Sequence, residues 1–527
     1  MSYKNNSGQE IDERFAAYIT NANAVRAVAS AVEGTIGPKG LDIMLVDRFG
    51  EVTITNDGVT ILKLMDINHP AAKMLINIAK AQQEEVGDGT TTATIMAGAL
   101  VTEGVNQIIR GVPVARVIEG IKYGVKKAQE IMKSKAIPVK GINDENLRKI
   151  AFIAGREHDD IADLVTEAAK LIGEEKLKEK NFKLRDIIIA KAGAENEVFL
   201  GLIIDREKLN KQMPKEICDA KILLIDDALE PEQIEEEALG TEAGFARYLE
   251  LREEFKRNVA KIIEMGINVV FVGKNICDET EEMFVDAGII AVERVSARDL
   301  EKIAEHTGAR VIKRTGLKKS VEEIQNYIGY ANKVYEDEKL EHIRIIGGSG
   351  KRMATILVGA ATSEIVGERE RIAKDAASSL QAAIKEGIVA GGGAVEIAVA
   401  RELEREKEKI KGMASYGIDC VISALKRPLG QIVYNAGFNP LEKVEEVIFT
   451  QAEKNIDSIG VNCDTGELSD MFELGVLDPA AVKIHAIKAA GEIAEAILRI
   501  DTIIKKKDED SGKMNAEASQ GLKDLDF

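Results

Sequence analysis

The sequence predicts a multidomain protein of α and α/β parts, with a helical domain built from both chain ends and an α/β region nested inside it. Three observations carry this. Most of residues 11 to 135, and again 394 to 504, place apolar side chains at helical spacing. Between about 187 and 358, short β-branched runs alternate with helical patterns, the mark of an α/β fold. No internal repeat is visible, so the order helical, mixed, α/β, mixed, helical is most simply an insertion of one domain into another.

Composition narrows the class. A chain of 527 residues allows roughly three domains. Hydrophobic content of 45% and charged content of 30% suit a soluble globular protein, and aromatics at 4% leave Ala, Ile, Leu and Val to build the cores. A net charge of −18 argues against a nucleic-acid partner, which needs a basic face. No window approaches the apolar length of a membrane span, and the N-terminus lacks a signal-peptide core. Cys218, Cys277, Cys420 and Cys463 lie far apart and read as reduced thiols of a cytoplasmic protein. The five histidines are scattered and show no metal-ligand spacing.

Taken in order, residues 11 to 33 form one amphipathic helix through Phe15, Ile19, Val25, Val28 and Val32. It ends at the breaker cluster Gly34 to Gly40, either a plain loop or a backbone cradle with Lys39 near phosphate. Ile43 to Val46 and Val52 to Thr55 flank Asp47-Arg48-Phe49-Gly50 as a β-hairpin. Asp57 follows, a turn residue before the next helix or a carboxylate placed for chemistry. Pro70 to Glu85 is helical, with Met74, Leu75, Ile78 and Ala79 on one face. Ile137-Pro138-Val139 is extended and marks a boundary, followed by helices around 144 to 176 and a Lys-rich stretch.

Strands are expected at 187 to 189, 198 to 204, 222 to 225, 269 to 272, 289 to 292, 311 to 312, 342 to 346 and 354 to 358. Residues 230 to 259 break this rhythm. They are charge-dense, yet Phe245, Tyr248, Leu249, Phe255 and Val259 can share one helical face. They form either a docked surface helix or a protruding arm whose stripe awaits a partner. Val366 to Glu386 is a helix carrying Asp375 and ends at the glycines Gly387 and Gly391 to Gly393. A polar hairpin-like stretch, 458 to 468, interrupts the last helical region, and the polar tail after 505 reads as disordered.

The stretch around which the chain is organised is Gly87-Asp88-Gly89-Thr90-Thr91-Thr92. Two glycines allow a tight turn close to a ligand. Three threonines at a helix start offer hydroxyls and N–H groups to an anion. Asp88 beside a phosphate makes sense when Mg²⁺ lies between the two, since Mg²⁺ takes carboxylate and phosphate oxygens together. A helix cap with a polar first turn accounts for the same residues without any ligand.

The phrases MLVDRFG, TITNDGVTIL, HPAAKM and EVGDGTTTA, with AGGGAVE near 390, GVLDPAAVK near 475 and AEAILRIDTII near 494, resemble the chaperonins of the thermosome-like (group II) type. The resemblance runs from about 20 to 505. The AAIKEGIVAGGG spacing is closer to group I, the arm is shorter than in typical group II chains, and Ala154-Gly155-Arg156-Glu157 has Arg where group II chains often carry Lys. This mixture resembles the bacterial group III members.

The resemblance implies a chaperonin fold: an equatorial helical domain (1–138 and 394–505), an intermediate hinge domain (139–207 and 360–393), an apical α/β domain (208–359) bearing a helical lid protrusion at 230–259, and a tail, 506–527. It implies an ATPase that folds protein, with ATP and Mg²⁺ as cofactors and Asp88 as the metal ligand. Gly89, Thr90, Thr91 and Thr92 would hold the phosphates, with Asn56 close by. Thr35, Ile36, Gly37 and Pro38 would pass along the nucleotide. Gly392 would approach the ribose, Asp478 would accept from its hydroxyls, and Asn462 and Cys463 would lie near adenine. Asp57 and Asp375 would activate water, although Asp375 among Lys374 and Glu370 also reads as a solvated helix residue. Expected partners are non-native polypeptides and identical subunits in two stacked rings, with no separate co-chaperonin lid, nucleic acid or membrane. A small-molecule kinase is disfavoured, because no further catalytic constellation is present. A nucleotide-gated assembly without folding activity stays open.

Overall fold

A computed structural model describes residues 3–4, 10–11, 15–50, 52–232 and 241–503; the tail 506–527 and part of the 230–259 arm lie outside the described residues. The chain divides into two compact units, one of Met1–Ala136, Val389–Leu474 and Ala480–Phe527, the other of Ile137–Ile388 and Gly475–Pro479.

The first unit is helical. Its centre is Thr90–Ile109, buried on nearly every side, as expected of a helix that is apolar all round. Helices Ala16–Glu33, Pro70–Glu85, Ser415–Asn435 and Ala480–Leu498 pack around it. The first begins at Ala16 rather than at 11, because Glu10–Ile11 instead pairs with Tyr3–Lys4 as a short antiparallel ribbon. Small residues set the close approaches: a Cβ on Gly98 would lie 2.7 Å from that of Ala29. The hairpin Ile43–Val46 with Val52–Thr55 pairs with no third strand among the described residues. Ile43 and Leu45 rest on the core, while Met44 and Val46 are each 61% exposed on the other side.

The second unit is built on an eight-stranded mixed sheet. Its order is Ile188–Ala192, Ala354–Ala360, Glu197–Ile204, His342–Gly348, Gly329–Asp337, Glu216–Ile225, Val269–Val272, Ile290–Val292. The outer pairs run parallel and the middle ones antiparallel. Leu223, Val270 and Val272 enter one core, and Ile222, Leu224 and Phe271 enter the other. Both faces are covered, so these strands read as unbroken apolar runs.

Three expectations change here. Val311–Ile312 is no strand but a single bridge, Ile225 to Ile312. Gly329–Asp337, a central strand, escapes a periodicity reading because Asn332, Lys333, Glu336 and Asp337 dilute its apolar residues. Third, the apolar stripe of the arm is divided. Helix Glu242–Glu264 buries Phe255, Val259 and Ile262 in the α/β core and also buries Leu251, whereas Phe245 and Leu249 are 54% and 48% exposed. Phe255 and Val259 therefore anchor the helix, and only its first turns carry exposed apolar residues.

His342 is fully buried in this sheet, with Nε2 accepting from the Arg344 guanidinium at 3.0 Å. Burial, then the nearby Lys191 and Arg344 charges, push its pKa down to about 4. An unfolded chain would bind a proton here near pH 6.5 and the folded one would not, so this contribution to stability is complete above that pH and is lost toward pH 4. Urea midpoints at pH 7.5 and 5 should differ more for the native chain than for His342→Gln. An equal difference in both would show that His342 is not the group responsible.

Candidate functional site

The site begins with two helix N-termini that meet in the first unit. Asp57 caps Gly58–Leu64: its Oδ1 accepts from Val59 N–H at 3.4 Å, and its Oδ2 accepts from Thr60 N–H at 3.0 Å and from Thr60 Oγ1 at 2.6 Å. A Cβ on Gly58 would lie 2.7 Å from Thr91 Oγ1 and 3.3 Å from Thr90 Oγ1, so the two helices start side by side. Here the capping and chemical readings of Asp57 coexist, because a carboxylate has about four acceptor sites and three are in use.

The Thr90 helix is different. Its N-cap is Gly89, left-handed at φ +74°, and no side chain caps it. The N–H groups of Thr90, Thr91 and Thr92 have no intrahelical acceptor, while Ala93 N–H already reaches Gly89 O. The first turn thus presents donors and a positive dipole end. Asp88 sits between two left-handed glycines, Gly87 and Gly89, and its Oδ1 accepts from Gly89 N–H at 2.5 Å. A Cβ on Gly89 would lie 2.5 Å from Val482 Cγ1, so the turn leaves no space for a side chain. Asn56 Oδ1 is buried and accepts no hydrogen bond.

The loop through Thr35, Ile36, Gly37 and Pro38 is held from behind. Asn435 Nδ2 donates to Glu33 O and Ile36 O, each at 2.9 Å, and Gly37 at φ +87° packs on Ile432. Lys39 reaches Asp464 at 2.6 Å, which draws its cation to a carboxylate and brings this loop beside the Ile459–Val461 and Leu468–Asp470 hairpin. Asn462 turns that hairpin by accepting from Asp464 N–H at 2.9 Å. Burial, with Asp464 adding, pushes the Cys463 thiol pKa up and keeps it neutral. Gly392 is left-handed at φ +61° and precedes helix Ala394–Lys407.

The remaining two residues lie in the second unit. Asp375 is half-buried on helix Ser363–Glu386, next to a Lys374–Glu370 ion pair. Asp478 is on the strand Leu477–Pro479, which packs against that helix. Arg156 and Glu157 both adopt positive φ, and Arg156 pairs with Glu368 of the same helix.

Within the first unit, the Asp88 turn and the uncapped first turn of the Thr90 helix have the donor set that suits a magnesium-bound phosphate. Among the described residues no cluster of three His, Cys, Asp or Glu side chains is arranged as a metal cage. A single carboxylate at an anion-binding turn suits a cation that is shared with phosphate oxygens. Sequence reasoning gave no role to Gln82, Val482, Lys483, His485 or Glu396: Glu396, Val482 and Lys483 fall inside the phrases AGGGAVE and GVLDPAAVK without being singled out there, and Gln82 and His485 carry no motif.

Fold and turn together define a chaperonin. Residues 28–508 match the TCP-1/cpn60 chaperonin family, and the chain belongs to it. It is 38% identical over 530 residues to a thermosome subunit of Pyrococcus abyssi (strain GE5 / Orsay), covering 96% of this chain and 95% of that one. It is 38% identical over 503 residues to the thermosome subunit beta of Archaeoglobus fulgidus, covering 92% and 91%. Among solved structures it is similar to a group III chaperonin in the open state, with a TM-score of 0.86 and 46% identity over 93% of this chain and 99% of that one. No helix among the described residues is long and apolar enough to cross a membrane.

Proposed function

We propose that the chain is the subunit of an ATP-driven chaperonin that binds non-native polypeptide and encloses it in a ring chamber closed by its own arm. The observation that carries this is the uncapped Thr90 helix, which opens beside Asp57 and directly after Asp88. Gly89 and the N–H groups of Thr90 to Thr92 bind phosphate. The backbone of Thr35 to Pro38 lines the nucleotide, and Asn56, whose buried Oδ1 accepts no hydrogen bond from the protein, lies close to the phosphates. Gly392 faces ribose, Asp478 accepts from its hydroxyls, and Asn462 and the neutral Cys463 border adenine. Magnesium held by Asp88 supplies neutralisation of the phosphate charge. Asp57 and Asp375 orient the attacking water and take its proton.

The hairpin at 43 to 55 supports assembly into two stacked rings of identical subunits. A two-stranded sheet is marginal alone, and its exposed Met44, Val46, Val52 and Ile54 want a neighbouring subunit. We place the particle in the cytoplasm, working without a separate co-chaperonin.

The test uses purified protein and a denatured client enzyme. Recovery of the client should require hydrolysable ATP, and the trapped client should resist protease when a transition-state mimic is bound. The exposed first turns of the arm are then the part to remove. Burying one large apolar side chain is worth roughly 1.5–3 kcal/mol, which favours covering Phe245 and Leu249 in the closed state. A deletion reaching 255 would remove the buried Leu251 and take Phe255 from the core, so residues 234 to 247 are replaced by a short Gly-Ser linker. Rings and ATPase activity should remain and client protection should disappear. Protection that survives would rule out the built-in lid, and ATP hydrolysis without client recovery would favour a nucleotide-gated assembly.

A further inference from the structure

Behind the Asp88 turn lies a polar contact that the proposed chemistry does not use. Gln82, near the end of helix Pro70–Glu85, is fully buried. Its Nε2 donates to Asp88 O at 2.8 Å and to Val482 O at 3.1 Å. Both of its N–H groups are thereby used, so Oε1 must face the remaining neighbour. That neighbour is His485 Nδ1, at 2.6 Å. An amide oxygen only accepts, so His485 must carry its proton on Nδ1. Burial holds the His485 pKa below the ordinary histidine range and so leaves the ring neutral, while the contact with Oε1 fixes the tautomer.

One amide thus joins three segments: the end of the Pro70 helix, the Asp88 turn and the first turns of helix Ala480–Leu498. It also lies under Gly89, where an added Cβ would be 3.2 Å from Gln82 Nε2. Asp88 has a glycine on each side and so has little stiffness of its own. We infer that Gln82, oriented by His485, is a positioning pair that sets the Asp88 carboxylate for its metal. This rests on the assignment of Asp88 to magnesium made above. Neither side chain touches the nucleotide; both act through the Asp88 carbonyl. An unpaired buried donor or acceptor is expensive, so the amide has one stable orientation, and loss of the histidine proton donor would unlock it.

The experiment uses the full-length assembled protein, with Gln82→Leu, His485→Leu, His485→Asn and Asp88→Ala. His485→Asn places an amide N–H close to where Nδ1–H stood and should restore function that His485→Leu loses. Two readouts are taken: calorimetric affinity for ADP as a function of Mg²⁺, and hydrogen exchange of residues 86 to 92 without nucleotide. Gln82→Leu and His485→Leu should each raise the Mg²⁺ concentration needed for half-maximal binding by about tenfold, the scale of one lost charge-orienting contact of about 1.4 kcal/mol. Both should speed exchange in that turn, while His485→Asn stays near the native values. Native Mg²⁺ dependence and native exchange in Gln82→Leu, with binding lost in Asp88→Ala, would reduce the pair to packing and overturn the inference. Native binding in Asp88→Ala would overturn the metal assignment instead, and the exchange rates would still decide whether Gln82 holds the turn. A lowered melting temperature without change in either readout would also count against positioning.

Discussion

Asp57→Asn is expected to slow ATP hydrolysis by on the order of a hundredfold or more while nucleotide binding stays near native, the scale of losing a group that activates water. Asparagine is the informative replacement because Asp57 has two roles in one place. It caps Gly58–Leu64 through Val59 and Thr60, and asparagine caps helices about as well. What asparagine lacks is a proton-accepting carboxylate. Asp57→Ala removes both functions and should add a capping loss of about 1 kcal/mol. Asp375→Asn, on the second unit, is expected to slow hydrolysis to a similar degree. Single-turnover hydrolysis at saturating ATP, beside calorimetric ATP affinity, separates chemistry from binding. A normal rate in Asp57→Asn would leave Asp57 as a cap only, and a normal rate in Asp375→Asn would return it to the status of an ordinary helix residue.

Much of this was legible in the sequence because it depends on local rules. The helix Pro70–Glu85 follows from its apolar face and its proline at the first position. The strand Val269–Val272 follows from an unbroken apolar run. The Gly87 to Thr92 turn is readable because glycine and threonine do particular work with the backbone there. What stayed hidden depends on partners distant in the chain. Gly329–Asp337 is a strand because it lies between two others, not because its own residues alternate. Phe255 and Val259 share a helical face with Phe245, yet only contact with the α/β core decides which of them are anchored. Gln82 and His485 are separated by about four hundred residues, and no spacing rule connects them.

The same applies to the strongest expected effect on stability. Glu396 is fully buried on the first turn of helix Ala394–Lys407, and Lys483 reaches its Oε1 at 2.8 Å. Neither carboxylate oxygen has a well-directed hydrogen bond, so the charges compensate each other mainly as an ion pair. Removing one partner strands a buried charge, and Glu396→Leu or Lys483→Met alone should cost roughly 3–5 kcal/mol. The double variant replaces both charges with apolar groups and should recover most of that loss, because a buried pair is often no more stable than well-packed hydrophobes. Thermal unfolding of nucleotide-free protein tests the order: both single variants low, the double variant close to native. A double variant as unstable as the singles would show that the loss comes from packing. The position of the pair gives it a functional side. One turn of helix Ala480–Leu498 packs Val482 on Gly89, joins Lys483 to Glu396 just beyond Gly393, and presents His485 to Gln82. The double variant keeps the helix but loses the tie to the Gly391–Gly393 turn. If that tie helps shape the nucleotide site, it should fold well and still bind ADP more weakly than the native chain. Native affinity in the restored fold would confine the pair to stability.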